Sequence, residues 1–160
     1  MLHLRSDSLA TTCAIAASLA GLTRRGDLIM LAGEMGAGKT AFAQGFGEAI
    51  GVTEPITSPT FTLIHSYPAG RVTLHHADIY RLTTHHEVAD LAFGELLESD
   101  GIVMVEWGDV VAGSLGDHIL VRLDFDEADE NARNLEISAA GRAWAVRWEE
   151  IGRRLAAYTC

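Results

Sequence analysis

The residues Gly33-Glu34-Met35-Gly36-Ala37-Gly38-Lys39-Thr40 have types and a spacing that could do chemistry. They match G-x-x-x-x-G-K-[ST], in which glycines let successive backbone N–H groups turn inward around a phosphate. Such a loop opens a helix, whose positive dipole end also attracts an anion. Lys39 would bring a full charge to the outer phosphates, and the Thr40 hydroxyl would face a bound magnesium ion. Eleven of the 12 basic residues are arginine, and Lys39 is the single lysine. A compact ammonium and a planar guanidinium are not interchangeable, so this lysine reads as a requirement of a site rather than as an incidental cation in a glycine-rich turn.

A phosphate loop also needs an acid at the tip of a neighbouring buried strand, to hold magnesium directly or through water. Glu106 follows Ile102-Val103-Met104-Val105 and would emerge at the carboxyl edge of a parallel strand. Asp78 lies in His75-His76-Ala77-Asp78-Ile79-Tyr80-Arg81, on the strand face that His76 shares. The competing readings are a solvated strand end for Glu106 and a surface hairpin carboxylate for Asp78. Thr57-Ser58-Pro59-Thr60 reads as an irregular loop with hydroxyls that could sense a γ-phosphate or place an attacking water, although turn chemistry alone also accounts for it. The pairs His75-His76 and His85-His86 argue against a transition-metal site, because strand neighbours face opposite ways and no cysteine accompanies them.

The elements that must position these groups follow from periodicity and punctuation. Ser6 or Ser8 can cap a helix with Leu9, Cys13, Ala16, Leu19 and Ala20 on its core face, ending near Gly21. Leu28–Ala32 is a short apolar run without alternation, which predicts a strand buried on both faces, directly before the glycine loop. Phe42, Phe46, Ala49 and Ile50 predict the helix after the loop, with Gly51 as its stop. Phe61 to Tyr67 and Arg71 to Tyr80 predict a hairpin about Pro68-Ala69-Gly70, Val88 to Leu97 a short helix, and Ile102 to Val105 a second apolar strand. Ile119 to Phe125, Leu135 to Ile137 and Trp144 to Trp148 predict a further antiparallel set, with Asp126 to Glu130 as an acidic turn.

Composition sets the outer bounds. A chain of 160 residues, 48% apolar, predicts one domain that folds without disulfides. Cys13 and Cys160 show no metal or disulfide spacing, which suits a reducing cytoplasm. Ser6, Asp7 and Ser8 precede the apolar stretch Leu9 to Leu22 and arginines close it, the reverse of a secretory signal. No run reaches the length of a membrane span. The net charge is −10, and Thr83 to Glu130 holds 13 of the 22 acids with Arg122 as its one base. Independent nucleic-acid binding is not expected on that ground, since it requires a clustered basic face.

With these residues in place, the chain resembles the TsaE (YjeE) family, small bacterial ATPases of tRNA threonylcarbamoyladenosine biosynthesis. The likeness runs from about Ser6 to Phe125. It rests on the N-terminal helix with Thr11, on Gly33 to Thr40, on Thr57-Ser58-Pro59-Thr60-Phe61-Thr62, on Asp78-Ile79-Tyr80-Arg81-Leu82 and on Val105-Glu106-Trp107. It implies a single-domain α/β fold of the P-loop NTPase type, three-layered, with helices flanking a mixed parallel/antiparallel sheet. It also implies binding of ATP or ADP with Mg2+, and slow hydrolysis made useful by the partners TsaD and TsaB, which modify adenosine 37 of tRNA. By the same resemblance Glu34, Met35, Gly36, Ala37, Gly38, Lys39, Thr40, Thr11 and Trp107 would contact nucleotide. Thr40, Glu106 and Asp78 would serve the metal, and Asp78, Thr60 and Lys39 catalysis. Gly108-Asp109 depart from the family's usual residues, and residues 131–160 carry no recognisable motif. Two rival classes share the loop. A small metabolite kinase would need a lid with several arginines, which Thr83 to Glu130 lacks. A nucleotide-gated binding module would hydrolyse ATP only incidentally, at the same rate with or without partners.

Overall fold

The computed structural model describes residues 1–58, 64–70, 72–79, 95, 101–106 and 116–160. The expected helix at Val88 to Leu97, Pro59 to Leu63 and Trp107 therefore lie outside the described residues, apart from Glu95. The elements are β1 (Leu2–Ser6), α1 (Leu9–Ala20), β2 (Leu28–Ala32), α2 (Lys39–Ile50), β3 (Ile64–Ala69), β4 (Val72–Asp78), β5 (Gly101–Glu106), β6 (His118–Phe125), β7 (Arg133–Ala140), α3 (Arg142–Ala145) and α4 (Trp148–Leu155). Among the described residues one sheet runs in the order β1-β7-β6-β2-β5-β4-β3. Its centre is parallel, β2 between β5 and β6 with β4 beyond β5. Its margins are antiparallel, through β1 on β7, β7 on β6 and β3 on β4. This is the mixed α/β sheet that the resemblance implies.

The central strands lack alternation because both of their faces are covered, and every residue of β2 and of β5 is buried. Ile29 and Leu31 face a core shared with Ile15 and Leu19 of α1 and Phe42 and Phe46 of α2. Ser8 caps α1, its hydroxyl accepting from the Thr11 N–H at 3.1 Å. Gly51 ends α2 in a left-handed conformation, as its place in the sequence predicts. At Gly45 the two helices approach so closely that a Cβ would lie 2.6 Å from Cys13 Cα. Gly45→Ala is expected to cost about 1–3 kcal/mol of unfolding free energy through this overlap, read from urea denaturation midpoints. A midpoint equal to that of the parent protein would show that α1 yields without cost.

Three expectations are corrected. β1 is a strand not foreseen from the sequence, with Leu4 and Ser6 buried and His3 and Arg5 exposed. Its five residues are too few for periodicity to declare, and its place is decided by pairing with β7, Leu4 opposite Leu135. β3 extends through Pro68 and Ala69, two of the three residues expected to form the turn. The stretch Trp144 to Trp148 is not a strand: α3 and α4 occupy it. Aromatic and β-branched residues there suggested a strand, but Trp144, Ile151 and Leu155 are the buried apolar positions, at helical spacing. Glu150 meets Arg153 at 2.7 Å and Arg154 at 3.3 Å on the outer face of α4.

The final helices are anchored to the core by charge. Arg147 donates to both carboxylate oxygens of Asp27, at 2.6 and 2.8 Å, and to the Leu22 carbonyl at 2.9 Å. Its guanidinium also lies 3.9 Å from the centre of the Trp144 ring. The C-terminal residues, which show no motif, are thus an integral layer of the fold.

Candidate nucleotide site

β2 runs from the sheet centre directly into the turn Gly33–Thr40, and α2 begins at its end. The turn needs its glycines for two separable reasons. Gly36 and Gly38 have φ of 83° and 109°, in the region that side chains disfavour. Gly33 has φ 140°, and a Cβ there would stand 2.3 Å from the Leu123 carbonyl oxygen. The backbone thus passes against β6 before it curls. Glu34, Met35 and Gly36 are exposed, Ala37 is buried, and Thr40 is half-buried at the start of α2. Lys39 is buried, and its ammonium donates to the carbonyls of Gly33 and, at 3.2 Å, of Glu34. The loop therefore already places its cation within its own curve.

The two acids reach the same edge. In register, Leu31 of β2 stands beside Glu106 of β5, and Glu106 stands beside Asp78 of β4. Residues in register share a sheet face, so both carboxylates lie on the face that Leu31 presents to α1 and α2. They emerge at the carboxyl end of parallel strands, where open α/β sheets bind ligands. Glu106 is 3% exposed and Asp78 half-buried. Glu106 Oε1 is buried without a hydrogen-bond partner, and so are both ring nitrogens of His76. His76 Nε2 lies 3.3 Å from that oxygen but is not aligned to donate. A buried acceptor left without a donor costs about 1–3 kcal/mol, and a cation is one partner that could satisfy this oxygen. His75 faces the other way, its Nδ1 2.7 Å from Ser66 Oγ, and burial lowers its basicity. The paired histidines thus diverge, as neighbours on a strand must.

Thr11 sits in the first turn of α1, its hydroxyl donating to Asp7 Oδ1 at 2.6 Å. That bond is the chief reason the Asp7 carboxyl is held below its usual range. Beside it a cleft of about 460 Å³ is lined by Asp7, Ser8, Leu9, Thr12, Gly38, Glu130, Asn131 and Arg133. The start of α1 and the end of the glycine loop therefore share one cavity. Asn131 and Arg133 come from the stretch without motif, and periodicity offers no signal for them. Thr60 and Trp107 lie outside the described residues. Among the described residues no group of three or more His, Cys, Asp and Glu side chains could hold a metal ion, and no helix is long and apolar enough to cross a membrane.

Comparison with known proteins bears on the family and the fold. A family model described as "Threonylcarbamoyl adenosine biosynthesis protein TsaE" matches residues 6–135. The protein of Bacillus subtilis (strain 168) with the name tRNA threonylcarbamoyladenosine biosynthesis protein TsaE is 35% identical over 142 residues, 89% of this chain and 88% of its own. Its namesake in Streptomyces coelicolor is 41% identical over 135 residues, covering 80% of this chain and 90% of its own. The crystal structure of Bacillus subtilis YdiB superposes with a TM-score of 0.76 at 29% identity, over 95% of this chain and 94% of that one. A family model that spans most of the strands and the whole glycine loop, joined to a fold shared from end to end, places this chain in the TsaE family.

Proposed function

We propose that this chain is a magnesium-dependent, ATP-binding and slowly ATP-hydrolysing component of the machinery that makes N6-threonylcarbamoyladenosine at position 37 of tRNA. In this reading residues 1–160 form one cytoplasmic P-loop ATPase domain that acts with TsaD and TsaB and meets tRNA only through them. The observation that carries it is the alignment of the Gly33–Thr40 turn, Glu106 and Asp78 along one edge of the sheet. The relatives' shared name supports the pathway, and the excess of acidic residues supports action on RNA through partners.

The loop amides from Glu34 to Gly38 and the start of α2 would receive the phosphates of ATP or ADP. Lys39 would pass its donors from the Gly33 and Glu34 carbonyls to the outer phosphates and offset charge developing on the transferred group. Thr40 and Glu106 would hold magnesium, with Asp78 alongside, and the unpartnered Glu106 oxygen fits that role. Thr40, Glu106 and Asp78 offer oxygen donors, which suit an ion that keeps several waters and is otherwise held by phosphate. When bound, magnesium neutralises charge on the β- and γ-phosphate oxygens. Asp78 and Thr60 would orient the attacking water, Thr11 would stand at the cleft beside the loop, and Trp107 would lie near the nucleotide.

Two measurements test this. ATP turnover is expected to rise, and modified tRNA to appear, when TsaD and TsaB are added to this chain. Equal, negligible turnover with and without the pair would leave a binding module instead. Glu106→Ala is expected to flatten the magnesium dependence of ATP affinity, read by titration at several Mg2+ concentrations. If Asp78→Ala has that effect and Glu106→Ala does not, the two acids have exchanged roles.

A further inference from the structure

Arg133 begins β7, far from the glycine loop in sequence, yet its guanidinium is fastened to that loop. Its Nε donates to the Ala37 carbonyl at 3.1 Å, and one terminal nitrogen donates to the Gly36 carbonyl at 3.4 Å. The other terminal nitrogen donates to the carbonyls of Glu130 at 2.8 Å and Ala132 at 2.7 Å. The Phe125 ring, at the end of β6, lies with its centre 4.7 Å from the guanidinium carbon. The same ring would be 3.7 Å from a Cβ on Gly36. Arg133 and Phe125 therefore form a brace between the β6–β7 turn and the loop.

The brace has a geometric consequence. In a planar trans peptide the C=O and the N–H point in opposite directions, and the peptides of this loop are trans. With the Ala37 carbonyl turned out to Arg133, the Gly38 N–H points away from the guanidinium, back across the turn. Within the loop the Ala37 N–H is tied to the Glu34 carbonyl at 3.1 Å, whereas the Ala37–Gly38 peptide, flanked by a glycine that can rotate at little steric cost, is held from outside by Arg133. We propose that Arg133, seated on Phe125, is a positioning residue for nucleotide binding: its fork holds the Gly36 and Ala37 carbonyls outward and so presets the Gly38 amide for phosphate. This rests on the nucleotide reading above and adds a residue to it. Arg133 touches loop carbonyls, not the reacting atoms, and acts by sparing the ligand the cost of ordering the loop.

A lysine would keep the charge but has no planar fork with which to hold two carbonyls at fixed separation. The test compares Arg133→Met and Arg133→Lys with the parent protein by calorimetric titration of MgATP, together with thermal unfolding of the ligand-free proteins. Both variants are expected to lose about tenfold in ATP affinity, the equivalent of one lost charged hydrogen bond. Ligand-free unfolding temperatures are expected to change by only a few degrees. Phe125→Leu is expected to show a smaller loss in the same direction. Full affinity in Arg133→Lys would overturn the fork and leave only charge, and affinity within twofold of the parent in Arg133→Met would overturn the role altogether. A loss of affinity matched by unfolding near the assay temperature would overturn it in favour of a structural staple. Failure of the parent protein itself to bind MgATP would instead remove the nucleotide reading and this inference with it.

Discussion

Lys39→Ala is expected to lower ATP affinity by one to two orders of magnitude, since a charge-assisted hydrogen bond contributes roughly 1.5–3 kcal/mol. The group is buried, sits within the curve of the loop and donates to its carbonyls. Its removal takes away the charge that would meet the outer phosphates. Lys39→Arg is expected to rescue little, because a bulky planar fork does not fit where a compact ammonium is enclosed. Calorimetric titration of MgATP into both variants measures this, with circular dichroism confirming the fold. Unchanged affinity in Lys39→Ala would end the assignment of phosphates to this loop.

The second large effect is on stability. Arg147→Ala is expected to destabilise the protein by about 3–5 kcal/mol, because it leaves the Asp27 carboxylate buried without its counter-charge. Asp27 is 7% and Arg147 6% exposed, so water does little to compensate for the loss. The Leu22 carbonyl would also lose its donor, and the Trp144 ring its cation. The double variant Asp27→Asn with Arg147→Met is expected to recover part of the loss, since it removes both charges together. Urea denaturation of the two variants decides the matter. An Arg147→Ala midpoint indistinguishable from that of the parent would show that the C-terminal helices are held by apolar contacts alone.

These two residues differ in how visible they are from sequence. Lys39 stands inside a local pattern whose spacing is itself the signal, and the flanking strand and helix follow from apolar runs a few residues away. β2 spans the residues that its composition predicts, and α2 stops at its glycine. Arg147 and Arg133 stand in no pattern. Each is one of eleven arginines, and the partners that define it, Asp27 in one case and the Gly36 and Ala37 carbonyls in the other, are about a hundred residues away along the chain. The strand reading of Trp144 to Trp148 failed for a related reason: aromatic residues favour a pleated surface until a neighbouring layer offers better burial, and here α1 and β7 offered it.

Local chemistry therefore established the glycine turn, the apolar strands that lead to Gly33 and to Glu106, and the acids that could serve a metal. Each of these is written within a span that a single strand, turn or helix covers. Tertiary structure alone decided that Glu106 and Asp78 end side by side and that β1 pairs with β7. It alone decided, too, that an arginine at the start of β7 braces the loop. Such pairings depend on strand order and register, and these are fixed by the mutual burial of distant segments, which no local window of residues contains.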